Sequence, residues 1–227
     1  MNFIHHDGKV KPSSEAIAAP GDRGLKYGDG LFETMRYEEG RMLFSQGHME
    51  RMKKGMQALK LKLPSYFNEA FLQKALRELM ALNGLEIAKV RLQLFRNEGL
   101  RDEGPNSSFF IETTPLLPAI PPSGTLVLYT EARKSTDIFS GLKHCNYLPY
   151  TLAALYAVEK KADDALVLNT KDTVADSTRA NVFLFKNGKL FTPALTEGCV
   201  EGVFRKYLLT ALADSGQPAT EIGRAHV

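Results

Sequence analysis

The segment TPLLPAIPPSG, residues 114–124, constrains the fold more than any other stretch of the chain. Pro115, Pro118, Pro121 and Pro122 each lack a backbone N–H and hold φ near −65°. Such a run fits neither a helix interior nor a central strand. It falls near the middle of 227 residues, so it reads as the boundary between two lobes. The organisation expected is an N-terminal α+β lobe over 1–114, a proline-rich linker over 115–124 and a C-terminal lobe over 125–220.

Periodicity supplies the elements on either side. GLFETMRYEEGRMLF reads as two strands joined at Glu38–Gly40, a hairpin signal. SQGHMERMKKGMQALKL spaces Met49, Met52, Met56 and Leu59 along one helical face. A second helix over about 67–82 gathers Phe71, Leu72, Ala75, Leu76 and Leu79 and stops near Asn83–Gly84. AKVRLQLFR alternates as a strand, with Val90, Leu92 and Leu94 on one side and SSFFIETT as its neighbour. Beyond the linker, TLVLYTE, DALVLN, ANVFLF and KLFTP read as strands, and residues 148–161 and EGVFRKYLLTALADSG as helices. The class expected is α+β, or α/β, in two lobes.

Charge and composition exclude some partners. Against 29 basic residues stand 26 acidic ones, and a net charge of +3 is too mild to argue for nucleic acid or a membrane surface. No window approaches the roughly 18 unbroken apolar residues of a spanning helix. The N-terminal MNFIHHDGKVK lacks the apolar core of a signal peptide. Two cysteines, Cys145 and Cys199, form no disulfide framework and fit a reducing compartment. A cytoplasmic protein with no metal site is expected. The last residues, EIGRAHV over 221–227, match what a common sequencing adapter encodes, so the natural chain is expected to have been cut near Thr220.

Lys143 stands in GLKHCNYL, residues 141–148, among apolar neighbours. A lysine amine partly removed from water becomes a usable nucleophile or base. Schiff-base chemistry with an aldehyde cofactor requires such an amine. A purely structural lysine satisfies the same local pattern.

Other segments bear on the choice. DRGLKYGDGLFET (22–34), HMERM (48–52), GLKHCNYL, VADSTRANVFLF (174–185) and TPALTEGCVEGVFR (192–205) occur in this order. Together they resemble the class IV aminotransferase family, the fold-type IV pyridoxal phosphate enzymes. That family holds branched-chain and D-amino acid aminotransferases and 4-amino-4-deoxychorismate lyase. The resemblance runs to about residue 213. It implies a two-lobed architecture with an incomplete second lobe, and pyridoxal 5'-phosphate as cofactor, bound by the 125–220 lobe. It also implies an amino acid or keto acid substrate and a homodimer with its site near the subunit interface.

By this resemblance Lys143 is the Schiff-base lysine, which also shuttles the proton at Cα. Arg51 grips the cofactor phosphate, for which a guanidinium fork is well suited. His48, one helical turn before it, is a satisfied buried histidine or a lesser participant. Gly202, Val203 and Phe204 open the last helix and offer backbone N–H groups to the phosphate. Phe204 replaces the family's usual hydroxyl. Asp176 stands where the family usually has glutamate, pairing with the pyridine nitrogen and keeping it protonated. Asn181 supports that loop. Tyr147 donates to the cofactor or simply packs. Arg101 is placed to meet a substrate carboxylate, and Phe32 and Thr34 match positions that line the site.

Transamination is the reaction expected. The alternative is 4-amino-4-deoxychorismate lyase, which eliminates pyruvate to give 4-aminobenzoate. The short Lys-x-x-Asn spacing of KHCN and the hydroxyl of Thr34 in GDGLFET lean that way. A third expectation is a truncated, catalytically inactive fragment, because the family's chain continues past this last helix with further strands and a second phosphate loop.

Overall fold

A computed structural model describes residues 2–100, 104–116 and 123–223. Arg101 and the centre of the proline segment lie outside the described residues. The chain divides into two compact units, one of Met1–Pro118 with Lys143–Asn146, the other of Ala119–Leu142 with Tyr147–Val227.

In the first unit β1 (Phe3–His6) turns back onto β2 (Lys9–Pro12) through Asp7 and Gly8, at φ 46° and 85°. An Asp-Gly pair is a strong hairpin signal because both central residues of that turn need positive φ. β3 (Gly30–Glu38) and β4 (Arg41–Met42) do the same through Glu39 and Gly40, at φ 50° and 75°. The expected hairpin is there, but its second strand is only two residues long. β5 (Ala88–Arg96) and β6 (Ser107–Pro115) pair as expected and complete a six-stranded antiparallel sheet. Its order is β2-β1-β6-β5-β3-β4.

Side chains alternate across a strand, so β3 divides its residues between two faces. Leu31, Glu33, Met35 and Tyr37 are buried, whereas Thr34 and Arg36 on the other face are exposed. A short helix, α1 (Arg23–Tyr27), leads into β3. Two longer helices, α2 (Ser45–Leu59) and α3 (Glu69–Leu82), pack against the sheet. The Asn68 side chain caps α3 by accepting from Phe71 N at 2.9 Å, a contact worth about 1 kcal/mol. Leu72, Leu76 and Leu79 are then wholly buried with Val90, Leu92, Leu94, Phe109 and Ile111. Each contributes about 1.5–3 kcal/mol of apolar burial. α2 lies close to β3 because Gly55 has no side chain: a Cβ there would stand 2.7 Å from Leu31 Cδ1.

The second unit holds two three-stranded sheets. In one, β7 (Leu126–Lys134) runs parallel to β8 (Asp164–Asn169), and β8 turns antiparallel into β9 (Val174–Ser177). Parallel neighbours need a crossover, and α4 (Leu148–Glu159) lies in it. In the other, β10 (Leu184–Lys186) and β11 (Lys189–Pro193) form a hairpin. The chain then crosses through α5 (Val203–Asp214) to β12 (Thr220–Ile222), parallel to β11. Tyr129, Tyr150, Ala153, Ala157, Ala165 and Val167 form this unit's core.

Three differences from the sequence reading stand out. ANVFLF was expected to be a strand throughout, yet pairing begins only at Leu184. Before it, the Asn181 amide is turned to Asp176 and to Val200 O, so that stretch serves side-chain bonding instead of a ladder. β1, β2, β9 and β12 were not anticipated. Glu221 and Ile222, set aside with the tail, pair with Thr192 and Pro193. Among the described residues no helix is long and apolar enough to cross a membrane.

Candidate active site

Lys143 is fixed by backbone pairing to the start of β3. Phe32 N donates to Lys143 O at 2.9 Å, Cys145 N donates to Gly30 O at 2.9 Å, and Leu31 and His144 form an antiparallel bridge. The half-buried Lys143 side chain places its Nζ 4.7 Å from the centre of the Phe32 ring. The Arg91 guanidinium lies 4.2 Å from the same ring. Phe32 pairs with Gln93 and Thr34 with Arg91 across β3 and β5, so all four belong to one face of the sheet. Arg91 donates through Nε and Nη2 to Gln93 Oε1, at 3.1 and 2.7 Å. An amine and a guanidinium thus both lie within cation–π range of one buried ring. The neighbouring Cys145 thiol is pushed up to about 11 by burial, so it stays protonated near neutral pH and is no nucleophile there.

The other face of β3 carries Glu33, 2% exposed among apolar residues. It receives Arg51 bidentately, Nε donating to Oε1 at 2.8 Å and Nη2 donating to Oε2. His48 Nδ1 lies 2.7 Å from Oε2. Burial alone would push the Glu33 carboxyl up. The hydrogen bonds and charges of Arg51 and His48 outweigh it and hold the group below its usual value. His48 and Arg51 are three apart on α2, which puts them on one helical face toward this acid. A narrow cavity of about 10 Å³ is lined by Phe32, Glu33, Arg51 and Lys143 among others. That is room for one water. Lys143, Arg51 and Phe32 thus line one cavity, and Thr34 is exposed on the Phe32 face.

In the second unit Asp176 sits in β9, 2% exposed. Its Oδ2 accepts from Tyr150 OH at 2.7 Å, from Val200 N at 3.0 Å and from Lys134 Nζ at 3.2 Å. Its Oδ1 accepts from Asn181 Nδ2 at 3.0 Å. Asn181 also donates to Val200 O at 2.8 Å, and a Cβ on Gly202 would stand 1.9 Å from Asn181 Oδ1. Asn181 therefore ties the acid to the turn that opens α5, where Gly202 is the N-cap and Val203 and Phe204 begin the helix. That helix start carries no side-chain cap. Phe204 itself is exposed. Tyr147 stacks on Tyr150 with ring centres 4.3 Å apart and donates its hydroxyl to Thr178 O at 3.2 Å. Burial, then the charge of Asp176, push the Tyr150 phenol up, which keeps it a donor. Burial also draws Lys134 below the ordinary lysine value, with Asp176 opposing.

Sequence reasoning missed Glu33, Arg91, Gln93, Lys134 and Tyr150. Glu33 carried a signal: a charged residue on the buried parity of GLFETMRYE must find partners. Lys134, at the end of a strand, carried none.

A mixed α/β chain with a pinned lysine, an anchored arginine and a buried acid beside a helix start defines a class of protein that known sequences can test. The chain belongs to the amino-transferase class IV family, whose model matches residues 30–223. It is 27% identical over 224 residues to a Methanocaldococcus jannaschii protein named as a branched-chain-amino-acid aminotransferase, covering 96% of this chain and 77% of that one. It is 24% identical over 221 residues to the aminodeoxychorismate lyase of Bacillus subtilis, covering 94% and 75%. The branched-chain aminotransferase of Thermoproteus uzoniensis, solved with norvaline, superposes with a TM-score of 0.87 at 24% identity, over 99% of this chain and 79% of that one. The fold is that of the fold-type IV enzymes, and the family is pyridoxal-phosphate-dependent.

Proposed function

We propose that this chain is a pyridoxal-phosphate-dependent aminotransferase acting on an amino acid, with the Lys143 amine as the point of covalent attachment. The observation that carries the reading is that Lys143, Phe32 and Arg51 line one narrow cavity within the first unit. The cofactor asks for an amine to meet its aldehyde, donors for its phosphate and a carboxylate for its ring nitrogen. Residues of each of these kinds are present. Lys143 offers the amine and Arg51 a guanidinium held in place by Glu33. Gly202, Val203 and Phe204 offer backbone N–H groups at an uncapped helix start. Asp176 has an acceptor direction left on Oδ1, where one donor is bound.

When bound, the cofactor supplies an electron sink that weakens the bonds at a substrate's Cα. Lys143 would then take up the proton from that carbon and hold it for the transfer that transamination requires. Phe32 and the backbone bond from Phe32 N to Lys143 O limit where the amine can swing. By the same resemblance Thr34 and Arg101 meet substrate and Tyr147 the cofactor. A homodimer and a cytoplasmic setting complete the reading, the latter supported by two free cysteines.

The test is borohydride reduction of protein loaded with pyridoxal phosphate, followed by peptide mapping, alongside 2-oxo acid formation from a panel of L- and D-amino acids. A label on Lys143 with oxo acid produced is the expected result; a label elsewhere overturns the assignment. The lyase is the second reading, favoured by the Lys143-x-x-Asn146 spacing and by the exposed Thr34 on the Phe32 face. Pyruvate and 4-aminobenzoate released from aminodeoxychorismate would select it. A chain that forms no coloured species with the cofactor supports an inactive fragment.

A further inference from the structure

Lys134 ends β7 with its side chain buried, and nothing in the proposed chemistry uses it. Its Nζ shares Asp176 Oδ2 with Tyr150 OH and Val200 N, while Oδ1 receives only Asn181 Nδ2 among the described residues. A carboxylate accepts about four hydrogen bonds, two on each oxygen. Oδ2, with three donors, is more than fully used, and Oδ1 has one direction left. Three neutral donors, from Tyr150, Val200 and Asn181, already satisfy most of the carboxylate. The ammonium is not needed to avoid an orphaned acceptor. Nor is a buried ion pair a good source of stability, since desolvating both charges offsets most of their attraction. What the ammonium adds is charge at a fixed place. It favours the ionised carboxylate and decides which oxygen is held inward.

We propose that Lys134 is a positioning residue that keeps Asp176 ionised and turns it so that Oδ1 is the oxygen offered to a cationic ring nitrogen. This rests on the reading of Asp176 as the partner of the cofactor's pyridine nitrogen. An aspartate has one rotatable bond fewer than the family's glutamate, and bonds to Oδ2 from β7, α4 and the turn before α5 remove the freedom that remains. The groups facing Lys134 are Asp176 from β9, the Tyr150 ring at 5.2 Å from α4, Asp137 from the segment after β7, and Cys199 from the turn before α5. Burial pushes the Cys199 thiol up to about 11 and also raises the Tyr150 phenol, so near neutral pH neither adds a negative charge to that set.

The experiment compares Lys134→Gln, Lys134→Arg and Asp176→Asn with wild type, each assayed for pyridoxal phosphate affinity by absorbance from about pH 8.5 to about pH 5.5. Glutamine keeps a donor and loses the charge that favours the ionised carboxylate. The Kd of Lys134→Gln relative to wild type should therefore rise at least severalfold as the pH falls across the range. Lys134→Arg should restore the wild-type profile. A Lys134→Gln ratio that stays flat with pH overturns the proposal. Should the glutamine form fail to fold, the arginine form decides: a profile parallel to wild type supports a role of charge, and a lost or steeper profile refutes it. Asp176→Asn separates the two readings. If it leaves affinity and the absorbance of bound cofactor unchanged, the reading of Asp176 is at fault. If it alters them while Lys134→Gln does not, only the role of Lys134 fails.

Discussion

Replacing Glu33 with glutamine removes the carboxylate on which Arg51 and His48 converge while changing almost no volume. Arg51 is 10% exposed at its side chain and Glu33 2%, so the pair is shielded from solvent. Glutamine can still accept on one oxygen, but its amide turns a donor toward a guanidinium that needs an acceptor. Breaking a buried pair by removing one partner costs about 3–5 kcal/mol. The lower end is expected, because Arg51 makes further interactions. About 3 kcal/mol corresponds to a melting temperature roughly 6–12 °C lower for a chain of this size. The pH dependence sharpens the test. Burial raises the Glu33 carboxyl, but the bonds from Arg51 and His48 bring it below its ordinary value of 4.5. A depressed carboxyl contributes stability that is fully present above the unfolded value and lost as pH falls through the folded one. Urea unfolding of both proteins should therefore show a gap that is constant near neutral pH and closes on acidification below that value. A gap under about 1 kcal/mol, or one that persists unchanged to the acid limit, refutes the reasoning.

Three other outcomes are open to measurement. Lys143→Ala should abolish the borohydride-reducible absorbance with pyridoxal phosphate, and a variant that keeps an unchanged band contradicts the assignment. Leu76→Ala removes a wholly buried side chain from the first unit and should lower unfolding free energy by about 2–5 kcal/mol in a urea titration. Gly202→Ala would set a Cβ 1.9 Å from Asn181 Oδ1, forcing that amide off Asp176 and Val200. A loss of about 1–3 kcal/mol, read as a fall in melting temperature, is expected, with weakened cofactor affinity alongside it.

Much of the fold was legible because its elements are locally consistent. The apolar spacing of Leu72, Ala75, Leu76 and Leu79 is a helix face whatever packs on it, and Asn68 marks where that helix starts. The strand β5 alternates from Ala88 to Leu94 and breaks the pattern at the buried Phe95. Where local signals were weak or ambiguous, the reading fell short. ANVFLF has strand composition, yet Asn181 within it serves a distant carboxylate. The short strands β1 and β2 carried a readable Asp-Gly turn that went unused. β9 and β12 are so short that only their neighbours make them strands.

The site divides in the same way. Lys143, Arg51, Asp176 and the opening of α5 were proposed from ordered motifs, since each residue type suits one part of the cofactor. Their surroundings were not, because a charged side chain's partner is set by the folded chain and not by its neighbours in sequence. Glu33 and Arg51 are 18 residues apart, and Lys134 and Asp176 are 42 apart. The sequence by itself determined the helices, the principal strands and the family. Only the tertiary structure decided that the Lys143 segment returns to pair with β3, and which buried charges meet. The reason is physical. Periodicity and turn chemistry act over a few residues, whereas a buried charge is tolerated only where folding delivers its counter-charge within hydrogen-bonding distance.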